Sequence, residues 1–302
     1  MRATILGAII LLAFVSGAYG QDCSVKNYPS PIFSAEVKMK MENQLEEARQ
    51  LYLKDTTNAD ALIWYGRRYA YLGKYQEAID LFSQGVERFP GDARFLRHRG
   101  HRGITLRCNQ KAIIDLTYAA EIMQNKPDEI EPDGMPNVQN IPTSTLKSNI
   151  WYHLGLALYL EKDYYRAGEV YKSCLKFSTN PDMYMATAYW LYITLRRNSK
   201  ELEAKALLET VDVGLPMIEN EDYYEMLLLY KGVLREDQLM DKLKSSGGGL
   251  SNATLGYALG MYFQLKKQPE LAKALYKEVL SGNQWSSFGF IAAENENLRG
   301  SR

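Results

Sequence analysis

Apolar residues recur at intervals of three and four positions along most of the chain, which is the spacing of one face of an α-helix. One stretch shows the pattern in full: it reads Leu62-x2-Tyr65-Gly66-x2-Tyr69, then Ala78-x3-Phe82, then Pro90. Between its two halves, Leu72-Gly73-Lys74 predicts a turn, because glycine interrupts a helix. No segment alternates apolar and polar residues with the period of a strand. The pattern therefore predicts an all-α fold built from helical hairpins.

The pattern occurs four times along the chain. A second copy contains Leu96, Gly100, Ala112, Leu116 and Ala119. A third copy reads Trp151-x2-Leu154-Gly155-x2-Leu158, then Ala167-x3-Tyr171 and Pro181, and a fourth contains Leu259-Gly260, Phe263, Ala272, Tyr276 and Val279. The interval from Gly66 to Gly100 equals that from Ala78 to Ala112. Both intervals are about 34 residues, and a fixed period of this length indicates a repeat protein.

The small residues in each copy have a physical role. A glycine in the first helix and an alanine in the second allow close approach of the two backbones, and large residues nearby fill the remaining space. The copies resemble the tetratricopeptide-repeat (TPR) pattern, W-x2-L-G-x2-Y followed by A-x3-F and P. The resemblance covers most of the chain after residue 20 and is to exported bacterial TPR proteins. It implies a right-handed solenoid with a concave groove and a scaffold role, without naming a ligand.

The repeats divide the chain into six predicted segments. These are a signal peptide (1–20), degenerate leading helices (21–58), TPR units 1–2 (59–126), a proline-rich insert (127–147), a TPR unit with degenerate helix pairs (148–244), and a C-terminal TPR-like unit with a capping helix (245–302). Degenerate helices are predicted at 45–53, at 183–197 with 201–210, and at 223–232 with 236–244. Segment 245–249 predicts a flexible break, and segment 288–298 a helix that covers the last unit with a polar outer face.

The first twenty residues predict export. Arg2 precedes an apolar run from Ala3 to Val15, and Ala18-Tyr19-Gly20 places small residues before Gln21, as in a cleaved secretory signal. The run is too short for a membrane anchor, and no later segment is apolar enough to span a bilayer. We therefore expect an exported, periplasmic protein, or alternatively a secreted one, with no membrane insertion after cleavage.

Composition and motifs narrow the function classes. Thirty-six basic residues balance 36 acidic ones, so charge gives no reason to expect a nucleic acid partner. Three cysteines, Cys23, Cys108 and Cys174, have no CxxC spacing; one bridge is possible, but the spacing favours none. The motifs of metalloproteases, α/β-hydrolases and nucleotide-binding enzymes are absent from the sequence. These observations predict a binding protein without catalytic residues or a cofactor.

One predicted helix is locally basic although the whole chain is neutral. It carries Arg94, Arg97, His98, Arg99, His101 and Arg102, and no acidic residue falls between Asp92 and Asp115. The repeat register places the candidate groove at Arg67, Arg94, Arg97, His98, His101, Arg102, Tyr152 and His153. The repeat pattern requires a large apolar residue at position 99, so Arg99 is an exception that needs an explanation.

The basic helix has three interpretations. The arginines are solvated, or cover the core while pairing with acids such as Asp128, Glu129, Glu131 and Asp133 of the insert. Alternatively they line an anion-binding groove, because the planar guanidinium suits carboxylate or phosphate. A metal site formed by the three histidines is disfavoured by the neighbouring arginines.

Two functions follow from these features. The first is a scaffold that binds a protein or peptide in its concave groove, and the second is a receptor for a small anion or a metal, using residues 94–102 and the insert. A long open groove favours the first, and an insert folded down into a closed pocket favours the second. Four prolines in the insert make an extended loop, and loops this long inside compact domains are usually functional or disordered. We expect its acidic stretch to lie over the basic helix, because a single helix separates the two in sequence.

Overall fold

A computed structural model describes residues 27–247 and 250–297. Within these ranges the chain forms fourteen helices. They are α1 (Ala35–Lys54), α2 (Ala59–Tyr71), α3 (Tyr75–Arg88), α4 (Ala93–Thr105), α5 (Asn109–Met123), α6 (Leu146–Leu160), α7 (Tyr164–Leu175), α8 (Pro181–Arg197), α9 (Glu201–Glu209), α10 (Glu221–Lys231), α11 (Glu236–Ser245), α12 (Leu250–Leu265), α13 (Pro269–Ser281) and α14 (Phe288–Asn297). The β pairing described is one isolated bridge between Ile130 and Thr145. None of the described helices combines the length and apolar character that a membrane crossing requires.

Consecutive helices pack as hairpins, in the order that the repeat predicts: α2 with α3, α4 with α5, α6 with α7, and α12 with α13. The turn inside each of these hairpins contains one residue with positive φ at the same register position. These residues are Gly73, Arg107, Lys162 and Lys267. Only the first is glycine, so the turn geometry persists in three units whose side chains do not favour it. The all-α hairpin solenoid predicted from the sequence is confirmed.

The repeat glycines lie where paired helices approach most closely. A Cβ atom added to Gly66 would lie 2.5 Å from the ring of Phe82, and one added to Gly155 would lie 2.7 Å from that of Tyr171. Gly100 and Gly260 stand in the same relation to Leu116 and Tyr276. The partner keeps the same sequence separation from the glycine in every copy, and it lies one helical turn after the repeat alanine. In each hairpin, the large side chain one turn after the alanine therefore packs against the glycine of the facing helix.

The helix pair α8–α9 shows how a degenerate unit differs. Tyr192 occupies the register position of the glycine, while Ala204 keeps that of the alanine and is buried. The Tyr192 ring is displaced from the helix pair and contacts Tyr230 of α10, with ring centroids 4.3 Å apart. A bulky residue at this position thus packs against the neighbouring unit instead of separating its own two helices.

Most buried apolar residues form one cluster that extends from Ile104 to Ala293. Its centre is aromatic: the Tyr159 and Tyr257 hydroxyls of α6 and α12 are 2.8 Å apart, and Trp190 of α8 stacks on the Tyr257 ring. These side chains belong to the first helices of different units, so the interior of the solenoid curve is filled in this half. Two smaller clusters occupy the N-terminal units, so the buried apolar residues are divided among three clusters.

The C-terminal helix α14 covers the last unit and also packs inward. It contacts α12 and α13, and residues 289–293 of this helix are buried. Asn295 donates a hydrogen bond to the carbonyl of Leu160 at the end of α6, 2.7 Å away. Glu296 forms an ion pair with Arg197 of α8. The helix therefore joins units that are distant in sequence.

Several sequence boundaries are corrected by the structure. The first helix begins at Ala35 and not near Leu45, and the insert spans 124–145 because α6 already begins at Leu146. The insert is anchored at its base, where the Leu146 amide donates to the Glu129 carbonyl. The predicted leader, Cys23, and residues 248–249 of the predicted flexible break lie outside the described residues.

The two described cysteines differ in state. Cys174 is a free thiol with no measurable exposure, as its apolar helical face predicts. Burial raises the pKa of this thiol to about 12, so the group is unreactive at neutral pH. Cys108 is buried at the start of α5 and is disulfide-bonded.

The close approach at Gly155 predicts a specific stability loss. We expect Gly155→Ala to lower the free energy of unfolding by roughly 1–2 kcal/mol, because the new methyl overlaps the buried Tyr171 ring by more than helix propensity restores. Gly168→Ala in α7 is the control. Its new Cβ would meet only Thr194, at 3.9 Å, and the variant should be unchanged or more stable by up to about 1 kcal/mol. Urea unfolding measures both, and an equally stable Gly155 variant would contradict the packing.

Candidate functional site

The basic helix α4 begins after Asp92, whose side chain accepts a hydrogen bond from the Arg94 amide. The Arg94 guanidinium lies at the rim of the fold, where it pairs with Asp92 and with Asp60 of α2. The sequence predicted that Arg94 lines the groove together with the histidines of α4. The structure separates it from them, because these two carboxylates hold its side chain at the start of the helix.

Arg99 departs from the repeat pattern because it bridges three helices. Its Nε and Nη2 donate to the two carboxylate oxygens of Asp115 on α5, at 2.8 and 2.7 Å. Its Nη1 donates to the Ser83 hydroxyl of α3. A paired guanidinium therefore replaces the large apolar residue that the pattern requires. Arg99 thus pairs with an acid, as one of the interpretations expected, but the acid is Asp115 of α5 and not one of the insert.

The insert lies over α4, as the sequence suggested. Arg97 Nε is 2.9 Å from Oε2 of Glu131, and the two side chains are only 9% and 8% exposed. The contact is a close ion pair whose N–H direction does not meet hydrogen-bond geometry. The tip of the insert also reaches α2, where the Gly134 carbonyl accepts a hydrogen bond from Arg68. The insert is thus folded down on the first two units.

The histidines form a contiguous group behind this ion pair. Arg97 Nη1 is 3.0 Å from Nδ1 of His98 and 3.4 Å from Nδ1 of His101. The His101 ring packs on His153 of α6, with centroids 4.3 Å apart. His153 Nδ1 donates to the Asn149 carbonyl, which fixes its tautomer.

The electrostatics of the group favour neutral imidazoles. Burial, followed by the nearby Arg97 charge, holds the pKa of both His98 and His153 well below its usual value. Burial and the Arg102 charge do the same for the pKa of His101. The guanidinium groups also destabilise each other: burial lowers the pKa of Arg102 to about 10, and Arg97 and Arg67 contribute to the shift. The positive charge at this site therefore resides on arginines.

Two further arginines border the group and stack on aromatic rings. Arg67 of α2 lies 4.4 Å from the Trp64 ring and donates from Nε to the Tyr71 hydroxyl. Arg102 lies 5.6 Å from the Tyr75 ring of α3. Cation–π contacts of this kind stabilise a guanidinium without neutralising its charge.

The remaining predicted residue, Tyr152, belongs to the aromatic core next to this group. Its ring contacts Tyr171 of its own hairpin and Phe288 of α14. The Phe288 ring also packs on His101 and His153. The C-terminal helix thus closes one side of the site. That contact could not be read from sequence, since Phe288 and His153 belong to units that are not adjacent along the chain.

The structure brings together all the predicted site residues except Arg94. They are Arg67, Arg97, His98, His101, Arg102, Tyr152 and His153. We call Arg67, Arg97 and Arg102, with Glu131, the arginine cluster. The repeat register did not predict Asn149 as a site residue, although its side-chain amide donates a hydrogen bond to Glu131. In residues 27–247 and 250–297 no group of three His, Cys, Asp or Glu side chains is placed to hold a metal ion.

Two surface cavities lie outside the arginine cluster. One, with a volume of about 430 Å³, is a cleft between α1 and α2 with Leu51 and Trp64 in its walls. Trp64 holds in the first unit the register position that His98 holds in the second. The other, about 260 Å³, separates Ile141 and Pro142 of the insert from the loop around Met217.

Comparison with known proteins identifies the repeat. Tetratricopeptide-repeat family models match residues 59–101 and 148–181. A search of curated proteins finds no match. The chain is 12% identical to YrrB, a TPR protein with an unusual peptide-binding site, over 78% of this chain and 92% of that one, with a TM-score of 0.44. It is 16% identical to a Podosopora anserina putative kinesin light chain with nearly identical TPR-like repeats, over 74% and 94%, with a TM-score of 0.43.

The chain therefore contains tetratricopeptide repeats, at residues 59–101 and 148–181. This assignment rests on the two matched repeats and agrees with the glycine packing inside each hairpin. TPR proteins are in general non-catalytic scaffolds, and the repeat supports a role in protein interaction for this chain.

The buried ion pair predicts strong coupling between α4 and the insert. We expect Arg97→Ala and Glu131→Ala each to cost about 3–5 kcal/mol, because each leaves a buried charge without its partner. The double variant should lose less than the sum of the two, by about 0.5–3 kcal/mol. Chemical denaturation of the four proteins in the cycle measures this difference.

Arg94→Ala with Asp60→Ala provides the control cycle. That pair is 34% and 68% exposed, so its coupling should stay below about 1 kcal/mol and weaken further in high salt. Additive effects of Arg97→Ala and Glu131→Ala would show that the insert and α4 are not coupled through this contact.

Proposed function

We propose that the chain is a non-catalytic scaffold that binds a protein or peptide partner. The observation that carries the proposal is the tetratricopeptide repeat, because stacked helical hairpins present an extended concave surface for binding.

The accessible part of the concave side is at the N-terminal units. From α6 to α12 the interior is filled by aromatic side chains, and α14 lies across it. The α1–α2 cleft stays open and combines apolar walls at Leu51 and Trp64 with polar groups at its ends. Leu51 is 63% exposed, so its apolar side chain is accessible to a partner. The partner is proposed to insert an apolar side chain here.

Export is the second part of the proposal. The leader-like segment 1–20 motivates it, and the disulfide at Cys108 supports it, because disulfides persist mainly in oxidising compartments. A periplasmic location follows if the source is a Gram-negative bacterium, and secretion otherwise. Either compartment places the scaffold among envelope or extracellular proteins.

The partner proposal is tested at the α1–α2 cleft. Tagged protein is crosslinked in its native envelope and the recovered partners are quantified by mass spectrometry. Leu51→Asp should reduce recovery of a specific partner about tenfold or more, as expected for a desolvated apolar contact.

Leu202→Asp on α9 is the matched control, since Leu202 is 86% exposed and lies away from the cleft. Both substitutions are at the surface and should change stability by less than about 0.5 kcal/mol. Equal recovery of every partner by the two variants would contradict binding at this cleft.

Export has its own test. Protein purified from the envelope or medium should begin at Gln21. After denaturation without reduction, it should react at one thiol, that of Cys174, and after reduction at three. A chain that retains residues 1–20 in the cytosol, with three thiols reactive before reduction, would exclude the export proposal.

A further inference from the structure

The arginine cluster is unbalanced in charge. Three guanidinium groups, those of Arg67, Arg97 and Arg102, lie on α2 and α4, close enough for their charges to repel one another. In the described part of the chain, Glu131 is the carboxylate within ion-pair distance of any of them, and it contacts Arg97. The neighbouring histidines are neutral and add no negative charge. Two positive charges therefore have no counter-charge among the described residues.

Such an excess is costly inside a fold. Arg67 is only 8% exposed, and buried charges in proteins are normally paired, because desolvation disfavours an isolated ion. Stacking on Trp64 and Tyr75 reduces this cost without supplying a negative charge. The cluster therefore carries more positive charge than the described residues around it neutralise.

Hydrogen-bond donors at the cluster are also unused. Arg67 donates from Nε to Tyr71, which leaves both of its Nη groups, and the Arg102 guanidinium donates no hydrogen bond to a described residue. Arg97 directs Nε at Glu131 and Nη1 at the histidines, which leaves Nη2. A guanidinium presents these donors in a plane, the geometry that carboxylate and phosphate oxygens accept.

The cluster has a solvent-exposed side and a rigid wall. His101 and Arg102 are only partly buried, so an ion can reach the cluster from there. The opposite wall is fixed: Glu131 is held by Arg97, by the Asn149 amide, and by pairing of the two ends of the insert at Ile130 and Thr145. An incoming anion would therefore bind beside Glu131 without replacing it.

We propose that the arginine cluster is a binding site for a small free oxyanion, of the phosphate or carboxylate class. Arg67 and Arg102 provide its main donors, Arg97 contributes Nη2, and Glu131 limits the charge that the site accepts. The site adjoins the α1–α2 cleft at Trp64, but none of its arginines lines that cleft, so the anion proposal does not depend on the proposed partner. The Trp64 and Tyr75 rings beside Arg67 and Arg102 leave less room for an extended chain than for a compact ion.

The test is calorimetric titration of the full chain with sodium phosphate and, separately, sodium succinate. Sodium chloride at equal ionic strength is the reference for screening. One saturable site per chain is expected for at least one of the two anions. Arg67→Gln and Arg102→Gln should each weaken that binding about tenfold or more, since each removes a charge-assisted hydrogen-bond donor. Arg94→Gln, which removes an arginine of the same helix outside the cluster, should leave the affinity unchanged.

Glu131→Gln gives the decisive comparison. Removing the resident negative charge should raise the affinity for the anion several-fold, which a folding defect could not do. If the arginine variants do not fold, the anion affinity of the Glu131→Gln protein therefore decides the test. The proposal is overturned by three results: no saturable binding beyond chloride, equal weakening by Arg94→Gln, or weaker binding by a folded Glu131→Gln protein. Binding confined to the C-terminal carboxylate of a peptide would also overturn it, since that would indicate a peptide site.

Discussion

The close approach of two helices at a glycine is the constraint on which the rest of this structure depends. At Gly66, Gly100, Gly155 and Gly260 the space that a Cβ would take is filled by a large side chain of the facing helix. That contact fixes the separation and crossing of each hairpin, and hence which face its first helix turns inward. The inward faces of α2, α4 and α6 then carry the arginine cluster, the histidines and the aromatic residues next to them.

The inner surface of this solenoid differs between its two halves. In the C-terminal half the first helices meet each other through Tyr159, Trp190 and Tyr257, and α14 packs across them, so the curve closes into a core. In the N-terminal half the inner surface carries charge, which cannot be covered by apolar side chains without large desolvation cost. A polar insert covers it instead. The two halves therefore differ in what they can bind.

Departures from the repeat pattern have local explanations in tertiary contacts. Arg99 occupies an apolar position because Asp115 and Ser83 satisfy its donors. Tyr192 occupies a glycine position because its ring finds space against Tyr230. Arg97 is tolerated in a buried position because the insert delivers Glu131 to it. In each case a partner on another helix or on the insert accommodates the unusual side chain.

The sequence by itself determined the helices, their pairing and the register of the inner face, because these follow from the helical period and the repeat period along one chain. It also indicated that acids of the insert would lie over α4, since the connection is short. It left open which carboxylate would pair, and it grouped Arg94 with the histidines, although Asp60 and Asp92 hold that side chain apart from them. It gave no sign that α14 would turn inward. Only the tertiary structure decided these points, because they depend on how the curvature of successive hairpins brings distant helices together. The contact of Phe288 with His153 is an example, since nothing in the repeat pattern pairs these two positions.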